Sequence, residues 1–245
     1  MKAKSRQGAI RGRFKERAYD LRETPPEATR ALIRTGELDK YRVLFEPCAG
    51  KGAISRELKA AGWRVISHDL IAYPGADPDV QGGYNFFHAV NNFRIEGVPE
   101  VNLAPLQAIV TNPPYRWADD FIRHGLFLGK PVFVLLRLMA LEGAGRSDIM
   151  EHLYHVYIGI ERLPMMHRPG WKGKKLKQGA MPFGWFCFFP EKNTAGYFGA
   201  SRISWREEVQ NGLDVDSSTT TGVAAVEAAR AREQEFTGDS RSADH

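Results

Sequence analysis

Two successive prolines at the end of an apolar run constrain this chain more than any other feature of its sequence. The run Ala108-Ile109-Val110-Thr111 leads directly into Asn112-Pro113-Pro114-Tyr115. Apolar and β-branched residues stopped by a breaker read as a buried strand ending at a loop. Neither proline has an N–H to donate, and each fixes its own φ. They also push the residues before them, Asn112 and Pro113, towards extended geometry. The strand therefore ends on a stiff shelf carrying an amide side chain, a free carbonyl and an aromatic ring. Such a shelf can hold a planar amino group, with the Asn112 oxygen and a proline carbonyl accepting its two N–H bonds. Tyr115 can stack on the ring that bears the amino group. A plain strand-ending Asn-Pro turn would use the same residues for structure alone.

A second segment narrows the choice. Val43-Leu44-Phe45 reads as a short buried strand running into Glu46-Pro47-Cys48-Ala49-Gly50-Lys51-Gly52 and then a helix over Ala53–Ala61. Strand, glycine turn and helix form a nucleotide-site pattern. Gly50 and Gly52 allow close backbone approach to a ligand because they carry no Cβ. A dinucleotide fingerprint needs Gly or Ala three residues after Gly52, where Ser55 stands, and the phosphate-loop pattern G-x-x-x-x-G-K-[ST] is absent. Trp63–Leu70 reads as a second parallel strand delivering Asp69, about 20 residues beyond the turn, where ribose-binding acids of such folds sit. His68 reads as a surface histidine.

The remaining periodicities predict an α/β chain with a mostly parallel twisted sheet. Thr24-Pro25-Pro26-Glu27 predicts a helix start, with Thr24 as N-cap, Pro25 in the first helical position and Glu27 completing a capping box. That helix ends near Gly36. Residues 73–84 read as a loop, 89–95 as a short helix, Leu106–Thr111 as a strand and Trp117–Leu128 as an amphipathic helix. Pro131–Leu136 is apolar throughout, as a strand covered on both faces requires. Arg146–Leu153 reads as a helix, and Val156–Leu163 and Phe183–Phe189 as a closing antiparallel pair of strands. Between these last two lies a basic insertion, 164–179, with Arg168, Trp171, Lys172, Lys174, Lys175 and Lys177. Such cations can neutralise phosphates, and a tryptophan can stack on a base.

Charge is uneven. The net is +5, but residues 1–17 hold seven Lys/Arg against one Glu, and residues 206–245 hold four Arg against nine Asp/Glu. We expect a flexible basic arm over 1–20, one domain over 21–205, and a mostly disordered acidic tail over 206–245. The basic arm and mildly basic domain suit a polyanionic partner. With 43% hydrophobic residues a full core is available. No apolar run is long enough to span a membrane, and the basic start lacks the apolar stretch of a signal peptide. Two cysteines, Cys48 and Cys187, give neither a disulfide framework nor a zinc site. A cytoplasmic setting and no resident metal are expected.

The motifs E-P-x-x-G-x-G and Asn-Pro-Pro-Tyr together resemble class I S-adenosylmethionine-dependent amino-methyltransferases, in particular the DNA N6-adenine methyltransferases of phages and prophages. The likeness runs from about Thr24 to Pro190. It implies a Rossmann-like class I methyltransferase fold with S-adenosylmethionine as cofactor and nucleic acid, DNA first, as partner. Under it Thr24 and Pro25 hold the methionine end of the cofactor, and Glu46 faces its ammonium. Pro47, Cys48, Ala49, Gly50 and Gly52 pass under the methionine and ribose, and Asp69 takes the ribose hydroxyls. Asn85 stands where the family carries Asp, and its side-chain oxygen would take the adenine amino group while Phe86 flanks the ring. Asn112, Pro113, Pro114 and Tyr115 hold the target amino group. Adenine N6 in DNA is the leading target. RNA adenine, cytosine N4, protein glutamine, and a non-catalytic DNA-binding role are the alternatives. With no room for a large target-recognition domain, short or relaxed sequence specificity is expected.

Overall fold

The structure, a computed structural model, describes residues 21, 23–89, 105–163, 165 and 181–206. The chain order of elements is α1 (Pro26–Arg34), β1 (Val43–Glu46), α2 (Ala53–Ala60), β2 (Arg64–His68), β3 (Val80–Gln81), β4 (Ala108–Thr111), α3 (Ala118–Phe127), β5 (Val132–Arg137), the one-turn α4 (Ser147–Met150), β6 (Leu153–Gly159), β7 (Phe183–Phe188) and β8 (Gly199–Ile203). The eight strands of the described residues join one sheet in the order β3-β2-β1-β4-β5-β7-β6-β8. Pairing is parallel from β3 across to β5 and between β6 and β8. β7 runs antiparallel to both its neighbours.

The period-2 alternation of side chains divides each strand between two cores. Phe45, Ile109, Val132, Val134 and Leu136 face a layer covered by Phe121 and Ile122 of α3. Leu44, Ala108, Val110, Phe133 and Leu135 face the opposite layer, covered by Ala28, Ala31 and Leu32 of α1 and Ile54 and Leu58 of α2. Strands apolar on both faces need helices on both faces, and the helices supply them. The chain steps from β1 to β2 and β3 in one direction, then returns to lay β4 on the other side of β1. A crevice opens outside the strand ends at that reversal, and ligands bind there in open α/β sheets. This mostly parallel sheet with an antiparallel β5-β7-β6 portion is Rossmann-like, consistent with the class I methyltransferase fold expected from the sequence.

Several expectations change. The region 146–153 forms only a turn of 3-10 helix and the short α4, because Leu153 already begins β6. The strand expected over 156–163 therefore starts earlier and ends at Gly159. The 73–84 loop contains β3, which adds to the sheet edge beside β2 through Ser67–Val80 and His68–Gln81. β8 was not expected. Its sequence Gly-Ala-Ser-Arg-Ile carries little apolar signal because it lies at the sheet edge with alternate residues exposed. α1 begins at Pro26 with Pro25 as its cap and no side-chain cap bond, for a reason that belongs to the site. The arm 1–20, the helix expected over 89–95 beyond Ala89, the basic insertion apart from Met165, and the tail beyond Arg206 lie outside the described residues. Among the described residues no helix is long and apolar enough to cross a membrane.

A buried hydrogen bond ties α1 to the sheet. The indole N–H of Trp185, fully buried on β7, donates to the Ala28 carbonyl at 2.8 Å. Trp185→Phe removes this bond and leaves a small void. We expect a loss of about 2 kcal/mol in denaturant melts, combining one neutral hydrogen bond and a partial cavity; an unchanged midpoint would show that α1 docks without it.

Candidate functional site

A cavity of about 240 Å³ opens at the C-terminal ends of β1, β2 and β4. Its wall comes from the loop after β1 (Glu46 to Lys51), the residues after β2 (Asp69 to Ile71), the Tyr84–Phe87 stretch, Asn112 to Trp117 after β4, and Leu21, Glu23 and Thr24 ahead of α1. Pairing explains the convergence. Glu46 is level with Ser67 in the register, which sets Asp69 just beyond it. Ala108 and Ile109 pair with Leu44 and Phe45, which brings Asn112 to the same rim.

Glu46 is 1% exposed. Its Oε2 accepts from the Ser55 N–H at 2.8 Å and also from the Ser55 hydroxyl, and that hydroxyl is joined to the Ser67 hydroxyl at 2.6 Å. The residue that breaks the dinucleotide fingerprint is thus the one that clamps the strand-end carboxylate to the start of α2. Oε1 takes no part in these bonds. Burial outweighs the Ser55 bonds and pushes the Glu46 carboxyl up to about 8. Asp69, 5% exposed, accepts from the Gly50 N–H at 2.8 Å through Oδ2 and from the Ile71 N–H at 2.9 Å through Oδ1. Burial raises its carboxyl, and those N–H bonds partly offset the rise. The Cys48 side chain and the Leu70 N–H also hydrogen-bond this carboxylate.

The two glycines of the turn are needed by the protein itself. Gly50 and Gly52 both hold positive φ, +57° and +89°, a region other residues enter at a cost. A Cβ on Gly50 would lie 2.6 Å from the Leu21 side chain, and one on Gly52 would lie 2.7 Å from the Asp77 carboxylate.

Thr24 does not cap α1. Its buried hydroxyl accepts from Asn112 Nδ2 at 3.0 Å, and the helix starts one residue later, on the prolines. The amide nitrogen of Asn112 is thereby committed, and its oxygen remains as acceptor. Pro114 is extended (φ −55°, ψ 123°), its φ fixed by its own ring, and its carbonyl accepts from the Trp117 N–H at 2.8 Å. The shelf therefore offers the Asn112 oxygen and the Pro113 carbonyl. The Tyr115 ring carries the Arg137 guanidinium 4.5 Å from its centroid and has Phe183 at 6.0 Å. Sequence reasoning passed over Arg137, which follows the apolar strand expected over Pro131–Leu136.

Asn85 Oδ1 accepts from the Phe87 N–H at 3.1 Å, capping the turn at Phe86–His88. Phe86 lines the cavity, yet it is also a core residue, 2% exposed and stacked on Phe121 at 5.1 Å. His68 is not a surface residue. It is buried between Phe45 and Tyr84, because β3 covers the edge beside β2, and burial pulls its imidazole down to about 4. Arg168, Trp171, Lys172, Lys174, Lys175 and Lys177 lie outside the described residues. Among the described residues no group of His, Cys, Asp or Glu is placed to hold a metal ion.

No family model and no curated protein matches the chain. Solved structures do match it. A Pyrococcus horikoshii protein described as an RNA methyltransferase is 13% identical, with 70% of this chain and 87% of that one covered and a TM-score of 0.47. A Listeria monocytogenes protein described as a class I S-adenosylmethionine-dependent methyltransferase is 13% identical over 92% and 76% of the two chains, with a TM-score of 0.45. A Vibrio vulnificus protein described as the modification subunit of a type I restriction enzyme is 10% identical over 92% and 56%, with a TM-score of 0.48. At these scores the fold assignment rests on the strand order and pairing described above.

The Glu46 carboxyl makes a prediction about stability and pH. Its folded value, about 8, lies above its ordinary value of 4.5, so folding takes up a proton between them. The stability this group contributes is complete at acid pH and is lost as pH rises through about 8. Urea melts from about pH 5 to 8 should show wild type losing stability relative to Glu46→Gln; a constant difference between the two would contradict the buried, proton-holding carboxyl.

Proposed function

We propose that this chain transfers the methyl group of S-adenosylmethionine to an exocyclic amino nitrogen, with N6 of adenine in DNA as the leading target. The observation that carries this reading is the Asn112–Thr24 hydrogen bond, which joins the Asn-Pro-Pro-Tyr shelf to the cavity lined by Glu46 and Asp69. The residues fit the cofactor chemically. Asp69 presents a fixed carboxylate to a ribose diol, and Glu46 Oε1 and Thr24 stand where a methionine end would be held. The Gly50–Gly52 turn forms the floor. Bound there, the cofactor supplies a methyl group on sulfonium, already a strong electrophile.

The protein's part is position and electrostatics. An adenine amino nitrogen is a poor nucleophile because its lone pair is delocalised into the ring. Asn112 Oδ1 and the Pro113 carbonyl accept its two N–H bonds, draw it out of the ring plane and free that lone pair. The positive charge that develops on nitrogen is met by the same two oxygens. Tyr115 gives the base an aromatic surface. In duplex DNA the base must leave the stack, at about a few kcal/mol. Lys51 and the exposed Arg116 line the cavity and favour a polyanionic substrate.

Methyl-labelled S-adenosylmethionine offered with DNA, RNA and whole-cell protein, followed by digestion to nucleosides and amino acids, tests the reading. Label should appear in N6-methyladenine from DNA. Asn112→Ala should lower the rate by roughly 10²–10³, the loss expected when a transition-state acceptor is removed, and Thr24→Val should lower it less while leaving the shelf in place. Label in RNA or glutamine would keep the mechanism and change the target. Cofactor binding with no label anywhere would overturn the catalytic reading.

A further inference from the structure

We propose that Arg137 anchors a backbone phosphate of the target nucleotide, an inference that rests on the nucleic-acid reading above. Arg137 is the last residue of β5, the strand beside β4, and so lies at the same strand-end rim as the Asn112–Tyr115 shelf. Its guanidinium stands 4.5 Å from the centroid of the Tyr115 ring. A guanidinium over a ring face is attracted by the ring's quadrupole. Its five N–H groups lie in the guanidinium plane, a fork suited to planar acceptors.

Among the described residues the buried Nε–H of Arg137 has no hydrogen-bond partner. Some arginines of the described residues are paired with carboxylates, as Arg30 is with Glu57, Arg56 with Asp77, Arg123 with Asp148 and Arg146 with Asp119. Arg137 has none among the described residues. A cation–π contact is worth less than a buried charged donor costs when it is left unsatisfied, so stacking on Tyr115 alone does not explain the placement. A planar donor fork held beside an aromatic ring matches a nucleotide: the ring for the base, the fork for the phosphate that follows it. Arg137 is also level with Phe183, the first residue of β7, and the Leu138 N–H donates to the Pro182 carbonyl.

The experiment compares wild type, Arg137→Met and Arg137→Lys. Binding to a mixed-sequence duplex, and to its single strand, is measured by fluorescence anisotropy over a salt series. Methyl transfer to the same DNA gives kcat and KM, and S-adenosylhomocysteine affinity and melting check the fold. Removing one phosphate contact lowers the slope of log affinity against log salt by about 0.7–0.9, a change that a purely structural role would not produce. Arg137→Met should show that drop, with kcat/KM down about ten- to a hundredfold, the effect of losing a charge-assisted hydrogen bond, mainly through KM. Arg137→Lys should keep the wild-type slope, with weaker binding because the fork is lost. Wild-type binding with an unchanged slope in Arg137→Met overturns the anchor and leaves the proposed function standing. A wild type that binds no nucleic acid overturns both.

Discussion

Parallel pairing of β1 with β2 on one side and β4 on the other is the constraint on which the site depends. It aligns three strand ends at one rim, so that Glu46, Asp69 and Asn112 arrive together although they are far apart in the chain. The crevice exists because the chain reverses its direction of travel across the sheet between those strands. Everything chemical in the cavity is then a matter of which side chain each strand happens to end on. The two cores hold the rim rigid, since strands buried on both faces cannot tilt without opening one apolar layer.

Polar groups at the rim are held by the backbone more than by one another. Asp69 rests on backbone N–H groups, and Glu46 rests on Ser55. Such bonds fix the orientation of both carboxyl groups. The burial that makes them selective also raises both their carboxyls. Binding a cationic ammonium next to Glu46 would therefore favour its ionised form.

Much of this was legible in the sequence, and the reasons are specific. Apolar runs stopped by Gly or Pro mark strand ends, so Glu46, Asp69 and the Asn112 shelf could be placed before any coordinates. The Thr-Pro-Pro-Glu stretch misled because a threonine hydroxyl serves equally as a helix cap or as a tertiary acceptor. The choice went to Asn112, from a strand remote in sequence. β3 and β8 carry too little apolar pattern to announce themselves, since edge strands need burial on less of their surface. His68 became buried through β3. Arg137 gave no local signal, because its meaning lies in the ring that β4 places beside it.

The central claim is that one cavity holds S-adenosylmethionine against the Asn-Pro-Pro-Tyr shelf. A crystal structure of the protein with S-adenosylhomocysteine bound tests it most directly. The account predicts ribose hydroxyls on Asp69, the methionine end beside Glu46 and Thr24, and the sulfur facing Asn112. A ligand seated anywhere else, or one whose sulfur is turned away from Asn112, would contradict it.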